Sequence, residues 1–208
     1  MGNIKTFTSF TTSNCYVIKP DNSTDICYVV DLPPDVEPAL EYIKINNLAV
    51  GGYLLTHGHF DHSLGMDKVD GNIYINLDDE FLARNPQDQL SSFTNLELDV
   101  QPYEGELLDI SKFSNKDINI YKNPGHTKGS ISYEFSNLGV VFTGDFIFSQ
   151  GIGRTDLYGG NTSEMKESIN KIFLNFDKDL EVFPGHGNTD TVNNILNYNS
   201  YLKEFIDD

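Results

Sequence analysis

The sequence predicts a mixed fold, α/β or α+β, built on two sheets. Short runs of β-branched and aromatic residues bounded by turn residues recur along the chain, and segments of helical periodicity follow them. This order, strands and then a helix, occurs twice. It suggests two sheets packed together with helices outside, a four-layer αββα sandwich, although the elements alone define only the class. At 208 residues the chain is expected to form a single domain over residues 1–208.

The first half is expected to begin with a meander of three short strands. They lie within residues 4–10, 14–20 and 25–32 and are separated by turn residues and prolines. A helix over 36–47 follows, with its apolar face formed by Val36, Leu40 and Ile43. The next predicted elements are a buried strand (AVGGYLL), a short helix (HSLGMDKV), a strand (NIYIN) and a helix ended by Pro86 (DDEFLARN).

From about residue 100 the same order, strands followed by a helix, is predicted again. Three strands are predicted in INIYKN, SISYEF and GVVFTGD. Asn161 and Glu164 have the spacing of a helix N-terminal capping pair. The helix that they open runs through SEMKESINKIFLNF, with an apolar face of Met165, Ile169, Ile172 and Phe173. A last strand (LEVFPG) and a closing helix (TVNNILNYNSYLKEFI) complete the chain.

Composition and charge exclude several classes of partner. The formal net charge is −17, from 31 acidic and 14 basic residues, and such a field repels nucleic-acid phosphates and anionic lipids. No apolar run approaches the roughly 20 residues that span a bilayer, and the N-terminus has no signal-peptide core, so a cytoplasmic location is expected. Cys15 and Cys27 are expected to be core residues, with a disulfide across a hairpin left open.

Three of the five histidines are concentrated in one motif, THGHFDH. His57 and His59 are two residues apart, so both imidazoles project to one side of an extended segment. Asp61 and His62 follow where the chain is expected to enter a helix. Single histidines are commonly surface or core residues, but the set indicates a common site.

The other two histidines also follow strand-like runs. His126 lies in NPGHTKG and His186 in FPGHG, and Asp145 ends the very apolar strand GVVFTGD, where a free carboxylate would be costly to bury. Imidazole and carboxylate without thiolate suit Zn²⁺, Mn²⁺ or iron. Seven such groups exceed the four ligands of a structural zinc site and fit two ions that share a carboxylate.

These residues resemble the metallo-β-lactamase-fold hydrolases over almost the whole chain, through NCYVI, THGHFDH, NPGHTKGS, FTGDFIF, GIGRTDLYGG and VFPGHG. The resemblance implies the αββα fold. It implies one ion held by His57, His59 and His126, a second held by Asp61, His62 and His186, and a bridging Asp145. Zn²⁺ is the metal favoured, with iron and manganese as alternatives.

Within this superfamily the chain looks most like the glyoxalase II-like branch, in a short form without the C-terminal helical region that binds glutathione. That branch implies hydrolysis of a small-molecule hydroxyacyl thioester, such as S-lactoylglutathione, with Asp61 orienting the nucleophile and relaying its proton. Arg154 and Tyr158 are candidate substrate contacts, although Arg154 could instead pair with Asp156. Lys128, beside His126, is expected to be a solvated surface charge. The sequence sets no oligomeric state.

Two departures and two alternatives accompany this interpretation. The chain ends about twenty residues after His186, and Arg154-Thr155-Asp156 stands where glutathione-specific members carry Lys and Tyr. Glutathione therefore does not follow from the resemblance. The main alternative is a mononuclear iron persulfide dioxygenase, which shares GRTD, although His186 in PGHG favours the hydrolase. The second is a non-enzymatic member of the fold, against which the intact ligand set argues.

Overall fold

The described part of the chain forms two units, residues 1–113 and 114–208, and each contains one large sheet. The structure is a computed structural model that describes residues 3–93 and 100–206. Each unit has helices and a hydrophobic core of its own. The single domain expected over residues 1–208 stays a prediction.

The sheet of the first unit has six strands, which are hydrogen-bonded in chain order. They are β1 (Ile4–Thr8), β2 (Asn14–Ile18), β3 (Ile26–Val30), β4 (Ala49–Leu54), β5 (Ile73–Ile75) and β6 (Leu108–Asp109). The first three pair antiparallel, as the predicted meander requires, and the pairs from β3 to β6 are parallel. Because parallel strands point the same way, the chain leaves β3, β4 and β5 at one edge of the sheet.

The helices of this unit are α1 (Glu37–Ile45), α2 (Phe60–Ser63), α3 (Glu80–Arg84) and α4 (Pro86–Phe93). The predicted face of α1 is confirmed, because Val36 and Ile43 are buried and Leu40 packs against the same core. The sequence prediction missed α4. Pro86 was expected only to end a helix, but it also begins one, since proline lacks an N–H that the first helical turn leaves unbonded anyway.

In the second unit, a five-stranded sheet has the order β13-β12-β9-β8-β7, and a two-stranded ribbon joins β10 and β11. The strands are β7 (Ile118–Lys122), β8 (Ile131–Phe135), β9 (Val140–Gly144), β10 (Ile147–Phe148), β11 (Gly151–Ile152), β12 (Glu181–Pro184) and β13 (Asp190–Thr191). The antiparallel partner β8 lies between β7 and β9, and β12 runs parallel to β9. The carboxyl ends of β7, β9 and β12 therefore lie at one edge of the sheet.

Among the described residues of this unit, the α-helices are α5 (Thr162–Lys171) and α6 (Val192–Tyr198). Both are shorter than predicted, since α5 was expected to continue to residue 176 and α6 to residue 206. Beyond α6, the buried Asn199 side chain donates to the carbonyls of Phe148 and Gly151 and accepts from the Leu202 N–H. These bonds replace the helical pattern, and the chain continues as a 3₁₀ turn over Leu202–Glu204.

Cys15 and Cys27 are both buried free thiols. The disulfide that the sequence left open is not formed, because the register places Tyr16 opposite Val30 and Ile18 opposite Tyr28, so the cysteines lie at opposite ends of the strand pair. Burial raises the pKa of Cys15 far above its ordinary value and that of Cys27 to about 11. Neither thiol is a nucleophile at neutral pH.

Candidate metal centre

The first unit gathers three imidazoles at the end of β4. The chain leaves that strand after Leu54, and His57 follows three residues later. His59 immediately precedes α2, a single turn that carries Asp61 and His62. The ring centroid of His57 lies 4.8 Å from that of His59 and 4.3 Å from that of His62.

Asp31, at the end of β3, orients two of these rings. Its Oδ2 lies 2.8 Å from His62 Nδ1 and 2.8 Å from Thr56 Oγ1, and its Oδ1 accepts from the Thr56 N–H at 2.7 Å. The Thr56 hydroxyl donates its single proton to Asp31, so it accepts from His57 Nδ1 at 3.0 Å. Both imidazoles therefore carry their proton on Nδ1, which leaves the Nε2 lone pair for a metal.

Asp61 lies beside His62, and the β1–β2 hairpin holds its backbone. The distance from Asp61 Oδ2 to His62 Nε2 is 3.6 Å, and the Asp61 carbonyl accepts from Ser13 Oγ at 2.6 Å. The carboxylate is 18% exposed, whereas the His62 side chain is fully buried. Of the four predicted ligands in this unit, Asp61 is thus the one whose side chain reaches solvent most.

In the second unit, sheet topology brings Asp145 next to His186. The parallel register places Gly144 opposite Pro184, and the Gly185 N–H donates to the Gly144 carbonyl at 2.8 Å. Asp145 and His186 therefore leave adjacent strands at the same edge. His126, which follows β7, leaves the sheet at that edge too.

One oxygen of Asp145 lies equally far from both histidines of this unit. Asp145 Oδ2 is 3.6 Å from His126 Nε2 and 3.6 Å from His186 Nε2. These distances are too long for hydrogen bonds. Two ligands of one tetrahedral ion, each at about 2.0–2.2 Å, lie about 3.4 Å apart, so the spacing fits donors that share cations. A carboxylate oxygen between two imidazoles has the position expected of a bridging ligand.

The GIGRTD segment supports His126 through its backbone. His126 Nδ1 donates to the Arg154 carbonyl at 2.8 Å, which again leaves Nε2 as the lone-pair donor. Gly153 makes this approach possible, since a Cβ there would lie 1.8 Å from the Asp145 carbonyl oxygen and 3.0 Å from His126 Cγ. The glycine and the main chain of this motif thus shape the surroundings of His126 and Asp145.

The side chain of Arg154 points elsewhere. It forms a two-bond ion pair with Asp156, at 2.7 and 2.8 Å, and this pair lowers the pKa of the Asp156 carboxyl to about 2. This is the ion pair expected if Arg154 braces its own loop. Tyr158 is 65% exposed and Lys128 is exposed as expected. Substrate contacts by Arg154 and Tyr158 stay predictions.

The donor set fits divalent cations of intermediate softness. It consists of imidazoles and carboxylates at strand ends, and for His57, His62 and His126 a hydrogen bond at Nδ1 fixes the tautomer that can bind a metal.

A family model described as the metallo-beta-lactamase superfamily matches residues 8–186. The chain belongs to the metallo-β-lactamase superfamily. Its cluster of histidine and aspartate donors is consistent with the divalent metals that this fold binds.

Several relatives align over nearly the whole chain. An uncharacterized Mycobacterium leprae protein, ML0493, is 32% identical over 91% of this chain and 93% of its own length. The probable metallo-hydrolase YqgX of Bacillus subtilis is 31% identical over 93% of both chains. The hydroxyacylglutathione hydrolase GloC of Haemophilus influenzae is 28% identical over 91% of this chain and 92% of its own.

Solved structures confirm the predicted fold class. The BLEG-1 B3 metallo-beta-lactamase superposes with a TM-score of 0.80 at 27% identity, over 96% of this chain and 99% of its own. TTHA1623, solved in a di-iron-bound form, gives a TM-score of 0.80 at 22% identity, over 94% and 98%. The chain therefore has the mixed α/β metallo-β-lactamase fold.

Among the residues that the structure describes, no helix is long and apolar enough to cross a membrane.

Sequence reasoning missed Asp31 and Thr56. Asp31 ends the apolar run CYVV, which is the same signal that identified Asp145 after VVFTG. Applied to both strands, the argument that a carboxylate at such a position needs a partner would have found it. Thr56 carries no comparable signal, because its role depends on a contact with a residue 25 positions away.

Proposed function

We propose that the protein is a dinuclear metal-dependent hydrolase of the glyoxalase II type, cleaving a small-molecule hydroxyacyl thioester. The observation that carries the dinuclear part is the position of Asp145 Oδ2, 3.6 Å from the imidazoles of both His126 and His186. Similarity to GloC, a hydroxyacylglutathione hydrolase aligned over 91% of this chain, supports the thioester.

The proposed ligand sets follow the family motifs residue by residue. His57, His59 and His126 would hold one ion, Asp61, His62 and His186 the other, and Asp145 would bridge them. The family model spans residues 8–186 and so includes all seven. Zn²⁺ suits this donor set best, and iron and manganese are the alternatives.

When bound, the two ions would supply a water of lowered pKa, and hence hydroxide near neutral pH, together with charge stabilisation at the thioester carbonyl. Asp61, the most exposed of the first unit's predicted ligands, would accept the proton of the attacking water and return it to the leaving sulfur. The C–O bond forms, the C–S bond breaks with its electron pair going to sulfur, and the products are a carboxylic acid and a thiol. Arg154 and Tyr158 remain proposed substrate contacts.

The protein's own thiols do not offer a competing nucleophile. Cys15 and Cys27 are buried, and burial raises the pKa of both. A covalent cysteine mechanism would need an accessible thiolate beside a base. The absence of an accessible thiolate is in keeping with the proposed attack by water.

The proposed partner class is a small molecule in the cytoplasm. The net charge of −17 disfavours nucleic acids and anionic membrane surfaces as partners. Glutathione itself is not required by the proposal, and the thiol is to be identified from a panel of lactoyl thioesters.

The test combines metal analysis of protein purified without added metal with assays on lactoyl thioesters and on persulfides. We expect about two metal ions per chain, hydrolysis of a thioester, and loss of both activity and one ion in His186→Ala. One iron per chain, oxygen consumption with a persulfide, and an active His186→Ala variant would instead identify a dioxygenase. Full activity after exhaustive chelation would contradict both.

A further inference from the structure

Two side chains hold the backbone of the segment His57-Gly58-His59, that of Asp79 at the N-cap of α3 and that of Gln89 in α4. Asp79 Oδ2 accepts from the Gly58 N–H at 2.9 Å. Gln89 Oε1 accepts from the Phe60 N–H at 2.9 Å, and Gln89 Nε2 donates to the carbonyls of Gly58 at 3.3 Å and Leu82 at 2.7 Å. Asp79 is 0% exposed and Gln89 is 2% exposed.

These bonds matter because the segment belongs to no regular element. It lies between the end of β4 and the start of α2, so neither a sheet ladder nor a helix provides partners for its backbone. The Phe60 N–H is one of the donors that the first turn of a helix leaves unbonded. Gln89 thus bonds to backbone groups on both sides of His59, and Asp79 bonds to a group between the two histidines.

The contact is also close in space. A Cβ at Gly58 would lie 2.7 Å from the Asp79 carbonyl oxygen, 2.8 Å from Leu82 Cβ and 3.0 Å from the Ala83 nitrogen. The main chain between the two histidines therefore packs directly on the start of α3, with no room there for a side chain. Close packing and buried hydrogen bonds together fix the backbone from which the His57 and His59 side chains extend.

We propose that Asp79 and Gln89 are positioning residues that hold His57 and His59 in their metal-binding arrangement before any metal arrives. The inference rests on the proposed function, since it assigns the two residues to the ion that these histidines would hold. Neither residue ligates an ion in this scheme. By holding this backbone, Asp79 and Gln89 reduce the conformational entropy that the two histidines lose when a metal ion binds.

The decisive variant is Gln89→Met, which keeps the length of the side chain and removes its hydrogen-bonding groups. Metal-free protein is titrated with Zn²⁺ against a chromophoric chelator, at a temperature where circular dichroism shows the variant folded. We expect the affinity for Zn²⁺ to fall about 10- to 100-fold, the range typical of residues that hydrogen-bond around metal ligands. The Co²⁺-loaded variant should also show an altered visible absorption spectrum.

Gln87→Met, at an exposed position of the same helix, is the matched control and should bind Zn²⁺ like the wild type. If Gln89→Met does not fold, Gln89→Glu replaces it, because glutamate keeps an acceptor for the Phe60 N–H but cannot donate to Gly58. Zn²⁺ affinity within threefold of wild type, with an unchanged Co²⁺ spectrum, would show a purely structural role and overturn the proposal. A wild-type protein that binds no Zn²⁺ would instead overturn the proposed metal centre.

Discussion

At the scale of single residues, two aspartates at the ends of apolar strands have different tasks. Asp31 follows β3 with a φ of 62°, a left-handed conformation that aspartate tolerates better than most residues. Its carboxylate accepts three hydrogen bonds, two from Thr56 and one from His62. Asp145 instead places one oxygen at equal distance from two imidazoles. We infer that the first aligns ligands and the second is a ligand.

The Asp145→Ala substitution tests this assignment. Because one carboxylate would serve both ions, we expect metal content to fall from about two ions per chain to less than one. Thioester hydrolysis should fall by more than about 100-fold, beyond the range produced by residues that only hydrogen-bond to ligands. Elemental analysis and initial rates measure the two quantities on the same preparation.

Asp179→Ala provides the control, since Asp179 is an exposed carboxylate in the same unit. It should retain both ions and full activity. An Asp145→Ala protein that keeps two ions would show that the aspartate does not bridge them.

At the scale of elements, the N-cap residue of α5, Asn161, also bonds to the loop that carries His126. Asn161 Oδ1 accepts from the N–H groups of Ser163 at 2.9 Å and Glu164 at 3.1 Å, which is the Asn161 half of the predicted capping pair. The Asn161 N–H donates to the Gly125 carbonyl at 2.8 Å. A Cβ at Gly125 would lie 2.4 Å from Met165 Cα, so the helix packs directly on that loop.

Asn161→Ala should therefore destabilise the protein by about 1 kcal/mol, because it leaves two N–H groups of the first helical turn without their cap. Asn161→Asp should stay close to wild type, since a carboxylate caps as well and interacts favourably with the positive end of the helix. Urea unfolding of the two variants measures the difference. Equal stability of Asn161→Ala and wild type would show that the cap contributes nothing.

The elements that sequence could predict are those with a long apolar signal. The strands of GVVFTGD and DICYVVDL were found because their side chains are almost all buried, and burial selects β-branched and aromatic residues. The two-residue strands β6, β10, β11 and β13 were missed, because two residues carry no periodicity. The end of α6 was misplaced, since Asn199 finds its partners in a segment about 50 positions earlier.

The residues of the candidate site also divide into those that the sequence could predict and those that it could not. The histidines and aspartates of the motifs carry their chemistry in the sequence itself, so they could be named in advance. The residues that hold them, such as Asp31 and Gln89, act across 29 to 31 positions through hydrogen bonds that only the folded chain creates.

At the scale of the whole molecule, the dominant feature is the excess of negative charge, −17 at neutral pH. Self-repulsion of this size destabilises a folded chain, while it also attracts cations toward a site that is to bind them. Added salt screens both effects, because the Debye length falls from about 30 Å at 0.01 M to about 10 Å at 0.1 M ionic strength. Stability and metal affinity should therefore respond to salt in opposite directions.

We predict that the Tm of the metal-free protein rises by about 2–4 °C between 0.01 and 0.1 M NaCl, the shift that about 1 kcal/mol of relieved repulsion produces in a chain of this size. Over the same range the affinity for Zn²⁺ should fall. The double variant Glu41→Gln/Asp179→Asn replaces two exposed carboxylates by neutral amides and so removes part of the repulsion. Its Tm should be higher than that of the wild type at low salt and should rise less with NaCl. Calorimetry measures the Tm, and sucrose at the same osmolality as the NaCl serves as the control for effects of the solute other than charge screening. A Tm that falls with NaCl would contradict the argument.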